Sequence, residues 1–258
     1  MGHPFRTLEL SGMELVHADE TALLDHLFAE LGRGRGGFLV TANLDILRRH
    51  AKDAVARGLY DAADVRVADG MPLVWASRIA GDPLPGRVAG ASLVPILAER
   101  AAREGRTLYL LGGDEGVAAE ARTVLEGRHP GLRVVGTSSP RVGNPPTAAE
   151  LEPILAELRA LAPDLVLVAL GSPKQEHVCL AVRSALPAAW TIGVGASLSF
   201  LTGHMTRAPL LLQKLGLEWA HRLAHEPTRL ARRYLVDDLP FGILLGLEAL
   251  GKRFSRRP

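Results

Sequence analysis

Continuous apolar runs that end at glycine or at a short polar residue recur along the chain as far as about residue 203. Three of them read TLYLLGG, LVLVALG and WTIGVG, at 107–113, 165–171 and 190–195, and each leads directly into a helix-like stretch. Runs this apolar are typical of strands that are covered on both faces. Two earlier runs, GGFLVTAN at 36–43 and DVRVAD at 64–69, are predicted to belong to the same sheet.

Amphipathic stretches separate these strands, among them TAAELEPILAELRALAP at 147–163. Strands that alternate with helices predict an α/β fold built on a mostly parallel sheet, with helices on both faces. The beginning of the chain, FRTLELSGMELVHAD at 5–19, is predicted to form a β-hairpin.

The pattern changes after about residue 203, where no further strand is predicted. The remainder reads as successive helices with arginines along them, broken near Pro209, Pro227 and Pro240. We therefore expect a core over 1–205 and a helical C-terminal appendage over 206–258. Near its end, LPFGILLGLEALGKRFSRRP joins an apolar run to a basic terminus. That run is too short to span a bilayer but is suited to lying on an anionic one.

Composition adds few restrictions on function. Of 258 residues, 47% are apolar and 22% are charged, which is ordinary for a globular protein. The formal net charge of +2 gives no overall field that would attract nucleic acid. Cys179 is the one cysteine, so neither a disulfide framework nor a cysteine-rich metal site is expected, and a reducing cytoplasmic compartment fits. The first residues lack a basic start followed by an apolar core, so no signal peptide is expected.

Glycines stand where the predicted strands end, at Gly112-Gly113, Gly171 and Gly195. Ligands of open α/β sheets bind outside the carboxyl ends of the strands, and glycine lets the backbone approach a ligand closely. Several such turns at one edge favour a nucleotide or nucleotide-sugar site, although each turn alone also fits a tight connection. Neither the dinucleotide fingerprint nor the P-loop pattern is present.

Polar side chains also follow two strands and one glycine turn. Asp69 ends the strand DVRVAD beside Gly70, where a carboxylate fits either a general base or a cap of the next helix. Thr41 and Asn43 end another strand; capping explains one of them and leaves the other for a ligand. Gln175 lies in the first turn after a glycine loop and suits either a ligand contact or a solvated position.

Five motifs together resemble a known family of bacterial glycosyltransferases. It includes the wall teichoic acid N-acetylmannosaminyltransferases and the enterobacterial common antigen N-acetylmannosaminuronic acid transferases, and is called the WecG/TagA/CpsF family or glycosyltransferase family 26. The resemblance runs from about Thr41 to Phe241. Its motifs are TAN, ADGMPLVWASRIAGDPLPGRVAG, LYLLGG, APDLVLVALGSPKQE and GLEWAHRLAHEPTRLARRYLVDD. The second and the last are long enough to be specific.

The resemblance implies an inverting transferase with a Rossmann-like core, of the type called GT-E, and a C-terminal appendage that meets the membrane. The donor would be a UDP-sugar carrying a ManNAc-like sugar, a uronic acid or a hexose. The acceptor would be a sugar on a polyprenyl diphosphate, in the synthesis of a cell-surface polysaccharide or wall polymer. No metal or cofactor is implied. The expected location is cytoplasmic and peripheral on the inner face of the cell membrane, with self-association as an option.

The resemblance also implies roles for particular residues. Asp69 corresponds to the presumed catalytic base, and no D-x-D metal motif ends a strand here. Arg87 or Arg207 would neutralise the leaving UDP. The expected donor-pocket residues are Thr41, Asn43, Arg87, Gly112, Gly171, Gln175, Gly195 and Ser199. The expected acceptor-diphosphate residues are Arg207, Arg222, Arg229 and Arg232.

The chain departs from the family pattern at two places. Many members read FDF where this chain has Leu198-Ser199-Phe200, so Ser199 replaces a pocket carboxylate and leaves the sugars open. Around Gln175-Glu176 the family often reads GxPxQExW, whereas this chain has Ser172, Lys174, His177 and Val178.

Two other functions remain as alternatives. A nucleotide-dependent oxidoreductase would use the same glycine turns, but the dinucleotide fingerprint of that class is absent from this sequence. A nucleic-acid-binding protein would use the basic tail, yet that tail also contains Asp237-Asp238 and a long apolar run, which favours a membrane surface.

Overall fold

The computed structural model describes residues 3–214 and 216–255, apart from the side chains of Leu210, Lys214 and Arg229. Its centre is a six-stranded sheet in the order β4-β3-β8-β7-β5-β6, in which every pair of neighbours is parallel. The strands are β3 (Gly37–Ala42), β4 (Val65–Ala68), β5 (Thr107–Gly112), β6 (Arg133–Ser138), β7 (Leu165–Ala169) and β8 (Trp190–Gly193).

The five strands predicted from apolar runs are all present, and every residue of β3, β5, β7 and β8 is buried. The sixth strand, β6, was not predicted. It lies at the edge of the sheet, and most of its RVVGTS sequence is only half-buried. An edge strand therefore lacks the continuous apolar run by which the others were found.

Helices interleave with these strands and cover both faces, which confirms the predicted α/β class. One face is packed by α2, α3, α4, α7, α8 and the C-terminal helix α13, and the other by α1, α5, α6 and α9. The helices of this part are α1 (Glu20–Gly32), α2 (Leu44–Lys52), α3 (Ala54–Asp61), α4 (Met71–Ile79), α5 (Gly90–Glu104), α6 (Val117–Arg128), α7 (Ala148–Leu161), α8 (Lys174–Ala185) and α9 (Ser197–Thr202).

After α9 the described part of the chain consists of helices joined by short non-helical segments, with no further strand. The elements are α10 (Leu210–Lys214), α11 (Glu218–His225), α12 (Pro227–Ala231), a π-helical segment (Arg232–Asp238) and α13 (Leu239–Ser255). None of the described helices is both long enough and apolar enough to cross a membrane. The boundary near residue 205 stays a prediction.

The N-terminal hairpin is confirmed: β1 (Thr7–Leu10) and β2 (Met13–Val16) pair antiparallel. Its turn is joined to the far end of the chain. The Glu248 carboxylate on α13 accepts hydrogen bonds from the Ser11 backbone N–H at 3.0 Å and from Ser11 Oγ at 2.6 Å. The first and last elements therefore hold each other in place.

Helix α13 has one buried stripe and one exposed stripe. Phe241, Leu245 and Ala249 recur every four residues and lie in the same apolar core as the hairpin and α4. The opposite side exposes large apolar residues, namely Leu239, Ile243, Leu244, Leu247, Leu250 and Phe254. The helix thus completes the core with one side and leaves an apolar surface on the other.

A group of buried charges attaches the π-helical segment to α2. The Asp238 carboxylate lies 3.0 Å from Arg48 Nε and 3.5 Å from Arg233 Nε. Asp45 on α2, whose side chain is 2% exposed, lies 3.4 Å from Arg233 Nη2. Buried carboxylates require such partners, because removing one partner leaves the other charge buried and uncompensated.

Replacement of Leu245 by alanine tests whether α13 belongs to the core. Leu245 is 1% exposed, so Leu245→Ala should lower the free energy of unfolding by about 2–5 kcal/mol in a urea titration. Leu244→Ala is the matched control, because Leu244 is 57% exposed and should change stability by only about 0.5 kcal/mol. Equal effects of the two variants would show that α13 does not contribute to the core.

Candidate active site

A cleft of about 1300 Å³ opens at the carboxyl ends of the parallel strands. Its lining comes from the loops that follow all six strands of the sheet, from α4 and from the C-terminal helices. The lining includes the predicted residues Thr41, Asn43, Asp69, Arg87, Gly171, Gln175, Gly195, Ser199 and Arg222. The sheet thus brings together residues that are far apart in the sequence.

Asp69 follows β4 directly and lies half-buried at the floor of the cleft. Its Oδ2 accepts a hydrogen bond from the Gly90 N–H at 3.1 Å. Burial raises the pKa of Asp69 to about 7, against the lowering effects of that hydrogen bond and of Arg87. The helix cap expected as an alternative is absent: α4 begins after Gly70 with no side-chain cap. Asp69 is therefore available to exchange a proton near neutral pH.

Thr41 and Asn43 differ in what holds them. The Asn43 side chain caps α2, since its Oδ1 accepts from the Ile46 N–H at 3.0 Å. Thr41 is buried, and its Oγ1 donates to the Gly193 carbonyl at 3.2 Å. Capping therefore explains Asn43, while Thr41 joins β3 to the end of β8, and both still line the cleft.

Gln175 is 4% exposed, which rules out the solvated first-turn position. Its Oε1 accepts from the Gly195 N–H at 3.0 Å, and its Nε2 donates to Glu176 Oε1 at 3.0 Å. Glu176 is itself buried, and burial raises its pKa. Gln175 therefore fixes the turn after β8, and Glu176 fixes the orientation of the Gln175 amide.

The predicted glycines have different physical roles. A Cβ at Gly112 would lie 2.4 Å from the Ala169 carbonyl oxygen, and its φ is +107°, so glycine is required there by the packing of β5 on β7. At Gly171 and Gly195 a Cβ would meet no atom within 4 Å. These two face the open cleft, while Gly112 lies outside the described lining and its neighbour Gly113 belongs to it.

Arg87 is held by Glu218, a residue that the sequence did not single out. Arg87 Nη1 donates to Glu218 Oε2 at 2.7 Å, and Arg207 Nε lies 4.0 Å from Glu218 Oε1. Glu218 belongs to the GLEWAHR motif, from which only arginines were assigned roles. Arg207 itself is outside the described lining, next to the residues that form it.

Of the four arginines predicted to bind the acceptor diphosphate, Arg222 is the one whose described side chain lines the cleft. Its guanidinium carbon lies 5.9 Å from the centre of the Phe200 ring, and its Nε is buried without a hydrogen-bond partner among the described residues. Arg232 is exposed on the π-helical segment, outside the described lining, and the Arg229 side chain lies outside the described residues. The acceptor roles of these arginines stay predictions.

The cleft also contains aromatic residues for which no role was predicted. Trp75 and Trp219 line it and remain 39% and 40% exposed, which leaves aromatic surface free for contact. A smaller pocket of about 430 Å³ adjoins it at the ends of β5 and β6 and shares Asp114 and Arg141 with it. Both tryptophans belong to motifs quoted above, but the motifs do not indicate that the two rings line one cleft. Within the described ranges, no group of three or more His, Cys, Asp or Glu side chains is placed to hold a metal ion.

A comparison with known protein families gives one result. The model of the glycosyl transferase WecG/TagA/CpsF family matches residues 8–255, which is nearly the whole chain. The match includes every residue named above as lining the cleft.

The pKa of Asp69 can be tested through stability. The pKa of about 7 for Asp69 in the folded protein lies above the 3.8 of an unperturbed aspartate carboxyl. Ionising Asp69 therefore lowers the free energy of unfolding. The loss grows as the pH rises from about 4 to 7 and is complete above pH 7. Asp69→Asn cannot ionise, so it should be about 2–4 kcal/mol more stable than the parent protein at pH 8.

That advantage should largely vanish at pH 4, as measured by urea unfolding at both pH values. Asp25→Asn is the control, since the Asp25 side chain is 59% exposed and its removal should change little at either pH. An Asp69→Asn protein that is less stable than the parent at pH 8 would show that the carboxylate is ionised and well solvated or paired.

Proposed function

Since this chain belongs to the WecG/TagA/CpsF family of glycosyl transferases, we propose that it moves a sugar from a UDP-sugar to a sugar on a polyprenyl diphosphate, with inversion at the anomeric carbon. The observation that carries the proposal is the position of Asp69 at the floor of the cleft, next to Arg87. The neutral-range pKa of Asp69 suits a base that must accept a proton at physiological pH. Neither the oxidoreductase nor the nucleic-acid-binding alternative fits this family.

In the proposed reaction one acceptor hydroxyl oxygen attacks the anomeric carbon while the bond from that carbon to the diphosphate oxygen breaks. Asp69 takes the hydroxyl proton. Its Oδ2 is held by the Gly90 N–H, which leaves Oδ1 for the acceptor. A single displacement of this kind inverts the anomeric configuration and requires one base.

The leaving UDP needs positive charge, and we assign this role to Arg87 together with the start of α8. The planar guanidinium of arginine matches phosphate oxygens. Lys174 and Gln175, the first residues of α8, line the cleft, so the positive end of that helix dipole faces it. We propose that these groups act without a dissociable metal ion.

The acceptor is proposed to enter from the C-terminal side. We assign Arg222, which lines the cleft, to the acceptor diphosphate, and the exposed apolar residues Leu239 and Ile243 line the cleft as well. The remaining exposed apolar residues of α13 support attachment to the inner surface of the cell membrane, where a polyprenyl chain would be embedded.

The function is tested by UDP release across a panel of UDP-sugars, with a lipid-diphosphate-sugar acceptor. Release that needs both substrates and persists in EDTA is expected. No release with any donor would contradict the proposal, and activity lost in EDTA and restored by Mn²⁺ would contradict its metal-free form. Ser199, in place of the usual aspartate, is the reason for using a panel of donors.

Asp69→Asn should reduce kcat by about 10²–10⁴-fold in that assay, because acid–base catalysis contributes that much. In the parent protein, kcat/KM should fall as the pH is lowered through about 7, since the base must be deprotonated. Circular dichroism verifies that the variant is folded. An Asp69→Asn enzyme with near-parental kcat would remove Asp69 from the role of base.

Arg222→Ala should raise KM for the lipid-linked acceptor about tenfold or more, because a charge-assisted hydrogen bond contributes roughly 1.5–3 kcal/mol. Donor affinity, measured by calorimetry with UDP, should stay the same. Arg103→Ala is the matched control, because the Arg103 side chain is 66% exposed on α5, away from the cleft. A loss of UDP affinity with unchanged acceptor KM would place Arg222 on the donor side instead.

A further inference from the structure

Glu218 comes from the C-terminal helices yet reaches groups at the floor of the cleft. It is the first residue of α11, and its carboxylate contacts Arg87 at 2.7 Å and Arg207 at 4.0 Å. Arg87 lies in the loop between α4 and α5, and Arg207 lies ahead of α10. One carboxylate therefore joins two guanidinium groups that are 120 residues apart in the sequence, from 87 to 207.

The three side chains are shielded from solvent. Arg87 is 17% exposed, Glu218 21% and Arg207 25%. Arg207 is fixed further by a hydrogen bond from its Nη2 to Ser92 Oγ on α5, at 3.1 Å. Charge pairs shielded to this degree are screened little by salt, so the contact holds its partners in a defined position.

All three charges act on Asp69. Burial has the largest effect and raises the pKa of Asp69; the Gly90 N–H and the two arginines lower it, and Glu218 raises it. Glu20 on α1 also faces Arg87 and Arg207. The charge balance at the base therefore depends on a residue of the C-terminal helices.

The face of α11 that carries Glu218 also carries Arg222, the residue assigned above to the acceptor. Glu218 and Arg222 are four residues apart on α11, so they lie on one face, and both line the cleft. Helix α11 has no buried residue of its own. Polar contacts such as that of Glu218 must therefore contribute to its placement.

We propose that Glu218 is a positioning residue, which holds Arg87 and Arg207 beside Asp69 and so completes the donor side only when α11 is seated on the core. The catalytic part of this role rests on the proposed function. It makes the donor side and the acceptor side interdependent, because one short helix supplies Glu218 to the first and Arg222 to the second.

The test compares Glu218→Gln, which keeps the shape and removes the charge, with Asp237→Asn. Asp237 lies in the same part of the chain and outside the described lining of the cleft. The first measurement is the pKa of the Asp69 carboxyl by ¹³C NMR, with the signal assigned through Asp69→Asn. In Glu218→Gln it should fall by about half to one unit, because the arginines then act without their counter-charge. In Asp237→Asn it should not change.

The second measurement is a double-mutant cycle on kcat/KM. Glu218→Gln should lower kcat/KM about tenfold, but should add little to Arg87→Ala, because Glu218 acts through Arg87. Glu218→Asp keeps the charge and should restore the Asp69 pKa, which separates a charge effect from misfolding.

Three results decide between the proposals. An unchanged Asp69 pKa in Glu218→Gln, or losses from Glu218→Gln and Arg87→Ala that simply add, would overturn the positioning role. Absence of transfer by the parent protein would overturn the proposed function alone. In that case the NMR titration still decides whether Glu218 holds the arginines beside Asp69.

Discussion

Three backbone hydrogen bonds extend the parallel ladder one step past the ends of the strands, and the geometry of the cleft depends on them. The Asp69 N–H donates to the Ala42 carbonyl at 2.7 Å, Gly113 to Ala169 at 2.8 Å and Val194 to Val168 at 2.8 Å. Each bond joins a loop to a neighbouring strand. Loops are ordinarily the mobile part of an α/β fold, but these cannot separate without opening the sheet. Asp69 and the turns after β5 and β8 are therefore anchored directly to the sheet.

The opposite wall of the cleft is attached differently. Helix α11 buries none of its residues, and the π-helical segment buries only Asp238. Salt bridges contribute to holding this wall. Glu218 pairs with Arg87 at one end of it, and Asp238 pairs with Arg48 at the other. Helix α13 then closes the core with an apolar stripe. The cleft thus has one wall fixed by backbone hydrogen bonds and another fixed by a few shielded charges together with the buried Leu230 of α12 and the apolar stripe of α13.

Much of this could be predicted from the sequence, because burial on both faces leaves a long apolar signal. The five predicted strands, the hairpin and the α/β class were confirmed, and Asp69, Thr41, Gly171, Gln175 and Gly195 do meet in one cleft. Their chemical roles are still predictions. The sequence could not predict β6, because an edge strand needs no continuous apolar run.

The remaining gaps concern contacts between distant residues. Nothing near Glu218 in the sequence indicates that it pairs with Arg87. Likewise, nothing near Gln175 indicates that its amide oxygen accepts a hydrogen bond from the Gly195 N–H. Gly112 is a residue that was predicted to line the pocket but has a packing role instead. It looked like its neighbours as a turn glycine, but only the packing of β5 against Ala169 explains it. Such pairs are set by tertiary packing, which local patterns do not encode.

The bond between Glu248 and the Ser11 turn has a consequence for how the protein is made. A chain is synthesised from its N-terminus, so the hairpin leaves the ribosome long before the helix that covers it. Until residues 241–249 emerge, the apolar cluster that contains the hairpin and α4 lacks the part supplied by α13. Native closure of this face must therefore wait until these residues have left the ribosome, and before then the nascent chain carries an open hydrophobic surface of the kind that chaperones bind.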